Sequence, residues 1–147
     1  IGFSTKQSIV LVWKPGEARH TAKYIDDPQW ERSISKAGEK AVRTLRLNDW
    51  NEAAWDDLML QSRNFNQASG LLDEPERNTL NSAVMKELRR LNLQTRVYVR
   101  LCMLGVSLAV LPRKLDQPLE EDETNLILQA LHGLGLGAIT TSIGAMN

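Results

Sequence analysis

Apolar residues along this chain fall first in a short β-branched run, then at helical steps, then in a nearly unbroken stretch, and finally between glycines. Ser8-Ile9-Val10-Leu11-Val12-Trp13 is rich in β-branched and aromatic side chains and reads as a strand. It stops at Lys14-Pro15-Gly16-Glu17. Pro followed by Gly suits a type II turn, because Pro presets the first φ and Gly accepts a positive second φ. Ala18 to Ile25 is expected to return as a second strand, making residues 1–25 an N-terminal β-hairpin arm. A lone hairpin is marginal in water, so it must pack on the helices or pair with another chain.

From Asp26 the period changes. Asp26-Asp27-Pro28 is a helix start, with an Asp cap before Pro at the first helical position. Trp30, Ile34, Ala37, Ala41 and Leu45 then recur at three- and four-residue steps, which predicts one apolar helical face. Asn48 or Asp49 caps a second helix with Trp55, Leu58, Met59, Phe65 and Ala68 on its inner side, and Gly70 suits its C-terminal cap. Asp73-Glu74-Pro75-Glu76 opens a third helix whose stripe is Leu80, Val84, Leu88 and Leu91.

Past Asn92 the phase shifts, and the chain either breaks into a new helix or kinks on through Val97, Leu101, Leu104, Leu108 and Leu111. Val97 to Leu111 is the most apolar run; it is shorter than the roughly 20 residues needed to cross a bilayer and is expected to be a buried central helix. Pro112 ends it, Arg113 to Pro118 connects, and Leu119 to Leu131 reads as the last clear helix. Glycine then alternates with leucine from Gly133 to Gly137, a density that opposes a regular helix. The expected fold is therefore mainly α: one domain over 1–147, a bundle of about five helices over 26–131 preceded by the β-hairpin, with a Gly-rich C-terminal arm over 132–147.

Composition narrows the function classes. The chain has 147 residues, 42% hydrophobic and 24% charged, which suits a globular domain with a real core. Lys and Arg number 18, as do Asp and Glu, so the basic excess of a dedicated nucleic-acid binder is missing, although a local basic patch is not. Cys102 is the single cysteine, so an intrachain disulfide and a multi-cysteine metal site are both ruled out. With no Asn-x-Ser/Thr sequon and no leader-like segment, a reducing environment, intracellular or within a particle, is expected.

Most charges have a structural purpose. Each predicted helix starts acidic and ends basic: Asp26 and Asp27 against Arg43 and Arg46, Asp73, Glu74 and Glu76 against Lys86, Arg89 and Arg90. That complements the helix macrodipole, worth about 0.3–1 kcal/mol per exposed charge. Glu120 to Glu123 open the last helix on the same logic and point in different directions, so they do not converge as a cation site. His20 and His132 show no catalytic spacing, Gly133-Gly135-Gly137 lacks the Lys-Ser/Thr of a phosphate loop, and Cys102 sits among core-type residues. Catalytic, metal and cofactor sites are thus not expected, and an enzyme with a dispersed site ranks third among the readings.

Two basic stripes and some apolar residues are left over. Arg32, Lys36, Lys40 and Arg43 line one face of the first helix; Lys86, Arg89, Arg96 and Arg100 form a second face if the helix is continuous there. Were they adjacent, they would make a groove for phosphates or an acidic protein. Four tryptophans crowd the first 55 residues, and Trp13 and Trp50 each adjoin a turn, where Trp can anchor an interface. Leu134, Leu136 and Ile139 make the C-terminal segment apolar where a lone domain would fray. The leading expectation is a non-enzymatic structural or assembly protein that self-associates through both arms, with a virion or phage subunit as an analogy of architecture. The alternative is a nucleic-acid-binding helical protein using the two basic faces.

Overall fold

The first strand has two apolar faces, and that decides the architecture. A computed structural model describes residues 7–16, 24, 26–47, 49, 52–102 and 105–143. In it β1 (Gln7–Trp13) is an inner strand, antiparallel to β3 (Ser107–Pro112) on one side and to β4 (Gly137–Ile143) on the other. β2 (Val97–Leu101) pairs antiparallel with β3, giving the order β2-β3-β1-β4. The helices are α1 (Pro28–Leu45), α2 (Glu52–Ala68), α3 (Pro75–Arg90) and α4 (Glu121–Gly133), with a 3-10 turn at Leu71–Asp73.

The expected five-helix bundle with an N-terminal hairpin is therefore incorrect. A strand has only two edges, and both edges of β1 are taken by β3 and β4, which leaves no place for a hairpin partner. Most of the supposed return strand, 18–25, lies outside the described residues. The apolar run after Asn92 is two strands and not a central helix. Asn92 adopts a φ of 59°, the left-handed conformation that Asn tolerates, immediately after α3 ends. The C-terminal glycines do not form an arm either. Gly135 (φ 79°) turns the chain out of α4, and the residues after it return as the sheet edge.

Helix starts were well marked. The Asp27 side chain accepts from the backbone N–H groups of Gln29 and Trp30, with Pro28 at the first helical position. At Glu74 the carboxylate does something else: it accepts from the Tyr24 hydroxyl at 2.8 Å and pairs with the fully buried Arg77. Arg77 also donates to the Gly105 carbonyl at 2.9 Å, tying α3 to the β2–β3 connection. Glu120 and Glu123 make a capping box at α4.

Two cores sit on opposite faces of the sheet. Val10, Val12, Leu108 and Val110 pack with Leu80, Val84 and Leu88 of α3 and with Ile127 and Leu131 of α4. Ile9, Leu11 and Leu111 meet Trp55 and Met59 of α2 on the other face. The Trp55 indole N–H donates to the Pro112 carbonyl at 3.0 Å, so even its polar edge is satisfied. Helix α1 packs mainly on α2, and Ala37 is its single fully buried residue. Stripped of α1 and α2, the connectivity is the β-α-β-β-α-β split of the ferredoxin-like plan.

Candidate anion-binding cleft

β2 is an edge strand, with α2 on one face of the sheet and α3 on the other. Arg96, just before it, and Cys102, just after, form backbone bonds across to Arg113 and Ser107. By antiparallel alternation Val97, Val99 and Leu101 point their peptide groups outward. Along this edge, between the two helical layers, runs a cleft of about 450 Å³.

Four arginines line it: Arg63 from α2, Arg89 from α3, Arg100 from β2 and Arg113 just past β3. Four carboxamides accompany them, Asn66, Gln67, Asn81 and Gln94, and among the described residues no carboxylate does. Arg63 and Arg89 are exposed at the mouth, whereas Arg100 and Arg113 are half-buried. Arg100 donates through Nε to the Met59 carbonyl at 2.9 Å and through Nη1 to the Val99 carbonyl at 2.8 Å. Arg113 donates through Nη2 to the carbonyls of Gln94 and Val97, each at 3.1 Å. Both guanidinium groups lie over the Tyr98 ring, at 4.9 and 4.5 Å from its centroid.

None of the four arginines has an ion-pair partner among the described residues. Burial pushes the Arg100 guanidinium below its ordinary pKa; Tyr98 opposes the shift, and the like charges of Arg63 and Arg113 add to it. Arg113 Nε and Gln94 Oε1 are buried without a hydrogen-bond partner among the described residues. The cleft therefore concentrates positive charge and leaves polar atoms unspent, and it can hold an anion through charge-assisted hydrogen bonds.

The second predicted basic stripe is split: Arg89 and Arg100 share the cleft, while Lys86 and Arg96 do not line it. Lys86 and Arg89 are exposed on α3, but only Arg89 reaches the cleft. Arg96 forks onto Glu123 at 2.8 and 2.9 Å and also donates to the carbonyls of Gln117 and Pro118, which makes it a structural clamp. Its hydrogen bond to Glu123 raises the Arg96 pKa, and the same bond lowers that of Glu123. Arg32, Lys36, Lys40 and Arg43 are all exposed on α1, which packs on α2, and none of them lines the cleft that holds Arg89 and Arg100. Sequence reasoning missed Arg63 and Arg113. Helical periodicity gives no hint that α2 and the end of β3 meet beside β2.

The apolar candidates are split as well. Trp13 lies over Gly137, where a Cβ would collide with the indole as it is placed. Trp13, Ile139 and Ile143 are exposed on one sheet face, Leu134 is exposed beside them in sequence, and Leu136 is half-buried against the α3–α4 core. Trp50 and His20 lie outside the described residues. Cys102 is half-buried, its thiol pushed up by burial, as suits an unreactive residue. Among the described residues no group of three or more His, Cys, Asp or Glu is placed to hold a metal, and no helix is long and apolar enough to cross a membrane.

No family model matches the chain, and no solved structure matches it significantly. The chain is similar to human nesprin-2, 27% identical over 128 residues; the match covers 84% of this chain but only 2% of the human protein. A likeness that spans so small a part of a long protein shows neither a family nor an activity.

Proposed function

We propose that this is a binding domain, not an enzyme, and that it captures an anionic partner in the β2 cleft. One observation carries the reading: four guanidinium groups line one recess with no carboxylate among the described residues that line it. Charges of one sign crowd together at a cost unless a counter-charge arrives, and here none is supplied by those residues. A cleft this basic in a chain of net charge zero marks a local purpose. Titration with inorganic polyphosphate at low ionic strength tests it. Saturable binding is expected, weakening as salt screens the site. Arg63→Gln with Arg89→Gln should reduce affinity roughly tenfold, on the scale of charge-assisted bonds to an anion. Both side chains are exposed and make no ion pair among the described residues, so the double variant should fold. No saturable binding at low salt overturns the reading.

A second reading is self-association through β4, favoured by a separate observation. Among the described residues Gly137–Ile143 is a sheet edge with no further strand paired to it, seven residues without a charged side chain or proline, the devices that usually guard such edges. Beside it Trp13, Ile139 and Ile143 are exposed on one face. Antiparallel pairing of this strand with its own copy would set β-branched residues opposite one another with no like-charge repulsion.

A further inference from the structure

The anion reading leaves half the cleft lining unused. A phosphate or sulfate group accepts hydrogen bonds and needs donors alone, which the arginines supply. Asn66, Gln67, Asn81 and Gln94 bring acceptor oxygens as well as donors to the same recess. Paired donors and acceptors beside guanidinium groups fit a ligand that carries anionic links and also heterocyclic edges with donors and acceptors of their own. Nucleotides have both.

Shape narrows the choice. The recess, of roughly 450 Å³, is lined by strand β2 and by residues of helices α2 and α3, with Arg63 and Arg89 its exposed arginines. A duplex presents its phosphates on a convex barrel too wide to descend between two helices, whereas a single strand can lower unstacked bases inside. Flat surfaces are ready for them. The guanidinium groups of Arg100 and Arg113 lie over the Tyr98 ring, and planar guanidinium and phenol groups are surfaces on which a base can stack. Met85, Leu72 and Leu101 add apolar surface to the lining.

The obvious competitor is an acidic peptide added as a fifth strand. A peptide would have to pair with the outward backbone groups of β2. The carbonyls of Val97 and Val99 are already taken by Arg113 and Arg100, whose guanidinium groups lie across that edge. Strand addition is blocked where it would have to begin.

We propose that the β2 cleft holds a short stretch of single-stranded nucleic acid, its phosphates on Arg63 and Arg89 at the mouth and its bases among the carboxamides and the arginines over Tyr98 within. This rests on the reading of the cleft as an anion site. Fluorescence anisotropy with the intact protein tests it, using short labelled single strands of RNA and DNA, the same strands annealed to their complements, and polyphosphate and poly-glutamate as competitors. Single strands are expected to bind at least about tenfold more tightly than duplexes and than polyphosphate. Arg63→Gln and Arg89→Gln should weaken all sequences alike and lower the salt slope by about one per site. Asn81→Ala should leave the slope alone and change the ranking among homopolymers. Equal binding of duplex and single strand, or a silent Asn81→Ala with polyphosphate competing equally, overturns the nucleic-acid inference while the anion site stands. Poly-glutamate as the preferred ligand reassigns the cleft to an acidic protein. Failure of every anion to bind overturns both.

Discussion

Arg96 shows how little a cation's place in the sequence says about its role. It precedes an apolar run, ends no helix, and so reads as a free charge. In the fold it forks onto Glu123 from 27 residues away and also holds the turn at Gln117 and Pro118. Its partner was accounted for as a helix-start charge, and that account is half right: Glu123 Oε1 does accept from the Glu120 N–H, as in a capping box. The hydrogen bond from Arg96 is the larger influence, and it holds the Glu123 carboxyl below the usual carboxylate range. A depressed folded-state pKa contributes stability above the unfolded value, and the contribution is lost as pH falls through the folded one. Glu123→Gln should therefore lower stability by about 1 kcal/mol at neutral pH, the scale of a bidentate pair that water still reaches. Urea melts of the two proteins should converge in strong acid, where both side chains are neutral; a gap that persists there contradicts the assignment. The amide oxygen of the variant can keep the cap, so the melts isolate the charge.

At the level of elements, strand β1 and the four helices that form are legible in the sequence, and strands β2, β3 and β4 are not. Asp27-Pro28, Gly70, Pro75 and the Leu80-Val84-Leu88 stripe all serve as the local rules require. Strands β2 and β3 have both faces covered over much of their length, so they read as one continuous apolar run that periodicity cannot distinguish from a buried helix. The arginine in that run is informative in hindsight: Arg100 is on an edge strand, where its stem can cover apolar surface while the head turns outward. α1 presents the opposite case. Its amphipathic pattern is clear, yet it leans mainly on α2 and buries Ala37 alone, while Val42 stays exposed. Few buried contacts mean a low free energy of local opening. Hydrogen exchange should release α1 amides well before those of α3, whose Leu80, Val84 and Leu88 are in the main core. Equal protection of the two helices would show that α1 is held by something beyond α2.

For the whole molecule, two surfaces at opposite ends of one sheet have different physics. The β2 edge is walled, polar and cationic; the β4 edge is uncharged and, among the described residues, unpaired. A domain that pairs through β4 keeps its β2 clefts free and multiplies them, so two copies could engage one polyanion with added avidity. Light scattering over a concentration series tests the pairing. Ile139→Lys places a charge on the exposed face of β4, at a residue half open to solvent, and should shift a dimer to monomer without unfolding the chain. A wild-type protein that is monomeric at high concentration removes the self-association reading and leaves the cleft untouched.

By itself the sequence determined strand β1, the starts of α1 and α3, the exits at Gly70 and Asn92, and the capping use of Asp27, because caps, turns and dipole charges act within a few residues of themselves. Only the tertiary structure decided that β1 is an inner strand, that the apolar run is two strands, and that Arg63, Arg89, Arg100 and Arg113 share a recess. Strand pairing joins segments some 100 residues apart, as Val10 with Val110, and no local period encodes a partner at that distance. Helical periodicity points to basic helix faces, whereas the structure assembles a basic surface at a sheet edge.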